Sequence, residues 1–392
     1  MPGGHHRIMS YELGVTSCGL VPRFTKDFEP ETRNAKPGTW YFLTNKFSNK
    51  ADSSNNSWKG GKVMVTGKSF RPNSSWVAGV ILITVLIVVP GEILAQQRGL
   101  SIATGGTGGV YYVLGGGVAN MLTKSLPNVK VTAESTAASV DNAKLVDVRK
   151  AELSFIAGDV AYDAYMGAGK FKNKVPLRNL LVPYSDFIQF VAVEGAGINS
   201  VKDLRGKRVS IGAPGSGTEV KGVRILEAVG IDPEKDIKRD RLSVAESAGA
   251  MKDRKIEAFN WAGGLPTAAI MDLAATPGIH IKILDLGEIL PKMREKYGPV
   301  YFSGVIPKGT YIGMQTDVQT VCVANVFCCH EKLDEELAYQ ITKLIFEKKS
   351  DLVLVHKEAA HITLQEAVVG SPIPYHPGAI RFYKEKGLTI KQ

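Results

Sequence analysis

Two glycine-rich stretches contain the residue types that hold small anions through the protein backbone. They are GGTGGVYY at residues 105–112 and GAPGSGTE at residues 212–219. Each follows a short strand-like run and precedes a segment with helical periodicity. At such a turn, the unpaired N–H groups of the helix N-terminus and the helix dipole point at the same spot, which favours a bound anion. The pair therefore predicts one small anion held between two lobes.

Side chains in and near these turns extend the predicted site. Hydroxyl groups would add donors to the backbone N–H groups, and an aromatic residue at the end of a later strand would form an apolar wall. Each feature also has a purely structural explanation, as a capped helix start or as ordinary core packing. The predicted ligand-binding residues are Gly106, Thr107, Gly108, Tyr111, Tyr112, Asn142, Ser216, Gly217, Thr218 and Trp261.

Neither stretch matches a nucleotide-binding or catalytic motif. Tyr111 stands where G-x-G-x-x-G needs its third glycine, and no Walker lysine follows Gly217. Pro214 occupies the first glycine position of G-x-S-x-G around Ser216. His356 and His361 are spaced one residue too far apart for HExxH. The sequence thus predicts a binding protein, with no catalytic residue, no metal site and no cofactor.

Composition and charge favour a soluble α/β protein. The chain has 392 residues, of which 44% are hydrophobic and 41 are glycine. Its formal net charge of +10 is scattered along the sequence. Nucleic-acid binding is disfavoured because no dense basic run with interleaved aromatic residues occurs.

An internal apolar run predicts export. Lys68 and Arg71 precede the unbroken apolar residues 76–89, and Ala95 follows a helix-breaking Pro90. This is the pattern of a secretory signal peptide over residues 64–95, cleaved after Ala95, with an uncleaved anchor as the alternative. Residues 1–63 are interpreted as a non-native or disordered extension upstream of a true start at Met64. The predicted location is the periplasm.

Four cysteines are present: Cys18 in the leader, and Cys322, Cys328 and Cys329 close together. Their spacing fits neither a zinc site nor a secreted disulfide scaffold. A buried strand in which small cysteines pack as hydrophobic residues is the preferred interpretation, and a labile thiol stays open as the alternative.

Strand and helix patterns alternate from residue 100 onward, which predicts parallel sheets covered by helices. A long extended segment at 179–195 would cross to a second lobe, and a return crossing is expected within 300–311 or 316–327. The predicted division is a discontinuous first lobe, 96–187 with 302–392, and a continuous second lobe, 188–301. Asp159 is expected to cap a helix, Pro266 to begin one, and 351–369 to form another.

Four ordered motifs resemble one known family. They are IATGGTGGVYYVLGG, SVKDLRGKRVSIGAPGSGTE, AGGLPTAAI and the terminal HPGAIRFYKEKG. Together they resemble the TAXI family, the solute-binding receptors of tripartite ATP-independent periplasmic (TRAP) transporters, over about residues 100–392. One departure concerns Ala137 and Ala138, which stand where relatives often carry a glycine pair. Their methyl groups would narrow the pocket.

The resemblance implies a two-lobed type II periplasmic-binding-protein fold with hinge-crossing strands. It also implies a monomer that delivers an organic anion, such as glutamate, 2-oxoglutarate or another dicarboxylate, to a TRAP membrane permease. Two alternatives stay open: a ligand-sensing module of a membrane signalling system, and a secreted enzyme that acts on a small acid.

Overall fold

A computed structural model describes residues 97–390 of the chain. The predicted extension at 1–63, the signal peptide at 64–95 and Cys18 lie outside the described residues. None of the helices within 97–390 is both long enough and apolar enough to cross a membrane.

The first elements alternate strand and helix, as the sequence pattern predicts. They are β1 (Arg98–Ala103), α1 (Val110–Ser125), β2 (Val129–Glu134), α2 (Ser139–Asp147), β3 (Leu153–Ala157), α3 (Gly158–Met166) and β4 (Leu177–Leu181). β1 pairs in parallel with both β2 and β3, which is the pairing that βαβ connections produce. The prediction that Asp159 caps α3 is wrong, because Ala157 occupies the N-cap and Asp159 lies inside the first turn.

The middle of the chain repeats the alternation. Its elements are β5 (Ser185–Val193), β6 (Arg208–Ser210), α4 (Gly217–Ala228), β7 (Lys238–Asp240), α5 (Val244–Lys252), β8 (Ala258–Gly263), α6 (Ala268–Ala274), β9 (Ile281–Ile283), α7 (Leu290–Tyr297) and β10 (Tyr301–Ile306). Pro266 does not begin α6 as predicted. Thr267 is still extended, with φ −90° and ψ 126°, so the helix starts one residue after it.

The last elements are β11 (Val318–His330), α8 (Glu335–Glu347), α9 (Lys349–Val355) and α10 (Pro377–Glu385). The predicted helix over 351–369 is wrong beyond Val355. His356 adopts extended geometry, and its Nδ1 accepts the N–H of Glu358 to start a short 3₁₀ turn, Lys357–His361. A side chain that competes for backbone groups in this way ends a helix that periodicity alone would continue.

One mixed sheet of eleven strands connects these elements, in the order β2-β1-β3-β11-β5-β8-β6-β7, with β4, β9 and β10 paired at its sides. β11 joins the two halves of the sheet. Its residues 325–330 pair with β3 and β4, whereas residues 322–324 pair with β5. The predicted extended segment at 179–195 is thus two strands, β4 and β5, and the return crossing lies within β11.

The two crossings between the halves touch each other. The chain leaves the first half through residues 182–184, and it returns at 324–325. The N–H of Asn325 donates to the carbonyl of Tyr184 at 3.0 Å. The halves are therefore linked at a hydrogen-bonded waist, formed by residues 182–184 and 324–325.

Apolar clusters cover both faces of the sheet in each half. The first half is packed by one cluster around Leu114 and Phe382 and another around Val160. The second half is packed by clusters around Ile225 and Ile270. The α/β fold class is confirmed. Cys322, Cys328 and Cys329 lie in β11 and are buried, as the preferred interpretation of their spacing predicts.

Candidate functional site

The N-termini of four helices, α1, α2, α4 and α5, meet at one cavity of about 240 Å³. The first glycine turn and the start of α2 form one wall, from the first half of the sheet. The second glycine turn, the start of α5 and the end of β8 form the opposite wall. The two turns that the sequence singles out are thus brought together.

Eight of the ten predicted binding residues line this cavity. They are Gly106, Thr107, Gly108, Tyr111, Ser216, Gly217, Thr218 and Trp261. Tyr112 and Asn142 are not among its lining residues. Asn142 is fully buried behind the wall, where its Nδ2 donates to the carbonyls of Thr104 at 2.6 Å and Phe155 at 2.8 Å.

The first glycine turn leaves the start of α1 open. Gly109 is the N-cap of this sixteen-residue helix and offers no side chain to cap it. The N–H of Gly109 donates to the carbonyl of Gly106 at 3.0 Å, which closes the turn. The positive end of the α1 dipole therefore reaches the cavity without a capping side chain.

The two hydroxyl residues of the second glycine turn, Ser216 and Thr218, differ in their hydrogen bonds. Ser216 is the N-cap of α4: its Oγ accepts the N–H of Glu219 at 3.0 Å and donates to the carbonyl of Ala213 at 2.7 Å. Thr218 lines the cavity, is 7% exposed, and its hydroxyl makes no hydrogen bond with any residue of 97–390. Ser216 is thus occupied in holding the helix start, whereas Thr218 has a hydroxyl to offer.

Ala138, on the first wall, has an unusual backbone conformation. It is the N-cap of α2, with φ 83° and ψ −146°, a region that residues with a Cβ rarely adopt. Such strain costs about 1–3 kcal/mol and tends to occur at functional sites. Ala138 lines the cavity, so the departure noted in the sequence puts an alanine in the cavity wall.

Backbone hydrogen bonds join the two walls directly. The N–H groups of Val140 and Asp141, at the start of α2, donate to the carbonyl of Gly215 at 3.1 and 3.3 Å. A first-half helix start is therefore satisfied by the second glycine turn, which holds the walls together on this side of the cavity.

A buried ion cluster lies beneath the cavity. The ammonium of Lys221 is 3.4 Å from Asp159 Oδ1 and 3.3 Å from Asp186 Oδ2, and all three side chains are at most 4% exposed. Lys221 and Asp186 line the cavity, whereas Asp159 belongs to α3. The Lys221 ammonium also donates to the carbonyl of Gly217 at 3.5 Å, so two carboxylates and one carbonyl surround it.

Two further groups complete this cluster. Arg224 reaches Asp163 at 2.5 Å and Asp159 at 3.5 Å, and the hydroxyl of Tyr301 donates to Asp159 Oδ2 at 2.8 Å. Burial opposes ionisation of Asp159, but Lys221, Arg224 and the Tyr301 hydrogen bond together outweigh it and lower the pKa of this carboxyl. For Asp186, burial has the larger effect and its pKa is raised.

A chain of hydrogen bonds runs from the cavity to the waist. The Tyr111 hydroxyl donates to Asn325 Oδ1, and Asn325 Nδ2 donates to Asp186 Oδ1 at 2.7 Å. Tyr184 lies beside Tyr111, with ring centroids 6.3 Å apart, and also lines the cavity. The cavity wall, the ion cluster and the crossing strands are thus one connected set of contacts.

A scan against protein families matches residues 102–387 of this chain to the model of the NMT1-like family. The chain belongs to the NMT1-like family. The matched range contains every residue that lines the cavity.

Solved structures of several binding proteins are also similar to this NMT1-like chain. The periplasmic aliphatic sulphonate binding protein SsuA from Escherichia coli is 15% identical, with 74% of this chain and 83% of that chain covered and a TM-score of 0.40. A binding protein component of an ABC phosphonate transporter from Pseudomonas aeruginosa is 11% identical, with 67% and 79% covered and a TM-score of 0.45. A putative L-cystine ABC transporter from Listeria monocytogenes is 14% identical, with 67% and 95% covered and a TM-score of 0.40.

The lining residues of this NMT1-like chain that are missing from the sequence-based prediction include Tyr184, Asp186 and Lys221. Lys221 carried a usable signal, because it falls one helical turn after Gly217 on a face shared with Ile225. A lysine on an apolar helix face requires a buried partner. Tyr184 and Asp186 sit at the crossing, and no local pattern reveals which strands meet there.

The lowered pKa of Asp159 predicts a pH-dependent stability. Because its pKa is lower in the folded state than the value of about 3.9 expected in the unfolded chain, its contribution is present above that value. The contribution is lost as the pH falls through the lower folded pKa. Urea unfolding of the wild type and of Asp159→Asn should therefore give a free-energy difference that shrinks below about pH 4. A difference that stays constant down to pH 3 would contradict this assignment.

Proposed function

We propose that this protein is a solute receptor that captures a small organic anion between two lobes. The single observation that carries the proposal is the meeting of both glycine turns, and of the helix starts that they open, at one cavity. Backbone N–H groups and helix dipoles that converge on one point stabilise an anion there.

The lobes follow the halves of the sheet. The sequence pattern divides the chain into 96–187 with 302–392, and 188–301. Strand pairing favours placing the crossings at 182–184 and 324–325, because β10 and residues 322–324 of β11 pair within the second half. A ligand that contacts both walls stabilises only the arrangement in which they are close, so binding would shift the receptor toward a closed form.

The partner is proposed from the motifs. Four ordered motifs resemble the TAXI receptors of TRAP transporters, so a TRAP-type permease is the expected recipient of the solute, in the periplasm. Membrane vesicles that contain such a permease should take up the bound acid only when the receptor is added. Uptake at the same rate without the receptor would argue against this partner.

The anion claim has a direct test. Protein that has been unfolded and refolded to remove any co-purified ligand is titrated by calorimetry with mono- and dicarboxylates, their amides and neutral sugars. Carboxylates are expected to bind and their uncharged amides to bind at least about tenfold more weakly, because the charged hydrogen bonds are lost. Binding of sugars with no binding of any acid would refute the proposal.

A further inference from the structure

The charges in the cavity wall bear on which anion fits. Asp186 and Lys221 are the charged residues among its lining side chains within the described part of the chain. The Lys221 ammonium is already shared between Asp159, Asp186 and the Gly217 carbonyl. Arg224 is likewise held by Asp159 and Asp163. The cluster thus contains three carboxylates, of Asp159, Asp163 and Asp186, and two cations, and it offers no net positive charge to a ligand.

The groups that can receive an anion are sufficient for one carboxylate. They are the open start of α1, the start of α4, and three hydroxyl groups that lack partners within residues 97–390, those of Thr107, Thr218 and Tyr184. Tyr184 is 3% exposed and lines the cavity, and its hydroxyl makes no hydrogen bond with any residue of 97–390. A hydrogen bond from this hydroxyl to a ligand oxygen would therefore stabilise the complex.

Most of the remaining surface of the cavity is apolar. Leu242, Val244 and Ala245 line one side, and the methyl group of Ala138 is held on the other in its strained conformation. Trp261 Nε1 donates to Thr267 Oγ1 at 2.8 Å, so its polar atom is already used and the ring offers carbon to the cavity. A second charged group on the ligand would lose its water here with no partner.

Building on the proposed function, we infer that the ligand carries a single carboxylate on an apolar body, and that Tyr184 is a specificity-determining residue that donates to this carboxylate. A dicarboxylate would place its second charge beside Asp186 or against Trp261 and the aliphatic side chains. The cavity of about 240 Å³ limits the body to a short one, since ligand pockets commonly span about 300–1,000 Å³.

Calorimetry on the refolded protein tests the ligand class with acids matched in carbon number. Isovalerate is compared with glutarate, and hexanoate with adipate, with isovaleramide and hexanamide as uncharged controls. At least one monocarboxylate is expected to bind at least about tenfold more tightly than its dicarboxylate. If the dicarboxylate binds as tightly or more tightly, the inference fails while anion capture stands. If none of these acids binds, both fail.

The role of Tyr184 is tested by Tyr184→Phe, with Tyr162→Phe as the control, since Tyr162 is exposed on α3 away from the cavity. Tyr184→Phe should weaken binding of the preferred monocarboxylate about tenfold, while binding of the corresponding amide changes much less. Thermal unfolding of the ligand-free variants verifies that both remain folded. Unchanged carboxylate affinity in folded Tyr184→Phe would overturn the assignment of this residue.

Discussion

Replacing Lys221 with methionine is expected to destabilise the protein by about 3–5 kcal/mol, because removing one partner of a buried ion pair leaves its charges uncompensated. Here Asp159 and Asp186 both lose their contact with the ammonium, and their side chains are at most 4% exposed. Urea unfolding at neutral pH, followed by circular dichroism and extrapolated linearly to water, measures the loss.

A surface lysine provides the matched control. Lys296 forms a pair with Glu227 at 2.8 Å but is half exposed, so Lys296→Met should cost at most about 1 kcal/mol. Adding Asp186→Asn to Lys221→Met should recover part of the lost stability, because one orphaned charge is removed. A cost for Lys221→Met no larger than that of the surface control would show that the cluster does not stabilise the fold.

Replacing Thr218 with valine should weaken binding of the anion by about 1–3 kcal/mol and leave the stability of the empty protein nearly unchanged. Thr218 lines the cavity and its hydroxyl has no hydrogen-bond partner among residues 97–390, so the folded state loses no hydrogen bond within the protein. A hydrogen bond to a charged group, by contrast, is worth this much to a ligand. Calorimetry measures the affinity and thermal unfolding the stability.

Ser216→Ala is the informative companion, because it changes the neighbouring hydroxyl in the same turn. Ser216 caps α4, so Ser216→Ala should reduce the free energy of unfolding by about 0.5–2 kcal/mol. Its effect on ligand affinity should be smaller than that of Thr218→Val. The two variants should thus separate helix capping from ligand binding. If Thr218→Val loses stability but keeps its affinity, the second turn is purely structural.

The regular part of the fold was predictable from local pattern. The helix at Glu335–Glu347 and the strands that flank α1 follow apolar periodicity. The two glycine turns correctly predict where α1 and α4 begin. Predictions failed where a side chain formed a hydrogen bond or an ion pair that the apolar periodicity does not indicate. His356 ended α9 by accepting a backbone N–H, and Asp159 turned toward Lys221 instead of capping α3.

The candidate site was only partly accessible to the same reasoning. Glycine turns carry a local signature, so both walls of the cavity were found. Tyr184 and Asp186 became lining residues because β5 and β11 happen to cross there, and that depends on contacts between residues far apart in sequence. Asn142 was misplaced for a related reason, since its position near a helix start gave no indication that its amide is used up by two buried carbonyls.

In the periplasm, where the protein is proposed to act, the three thiols of β11 would give it a property that no disulfide would supply. Cys328 and Cys329 are neighbours and point to opposite faces of the strand, and none of the three cysteines within residues 97–390 is paired. Burial raises the pKa of Cys322 to about 12, which suppresses the thiolate that oxidants attack. In an oxidising compartment, these cysteines would then stay reduced for as long as the protein stays folded. Oxidation would require a molecule to unfold and expose its cysteines. The fraction of molecules with oxidised cysteines would therefore increase with the number of unfolding events since synthesis.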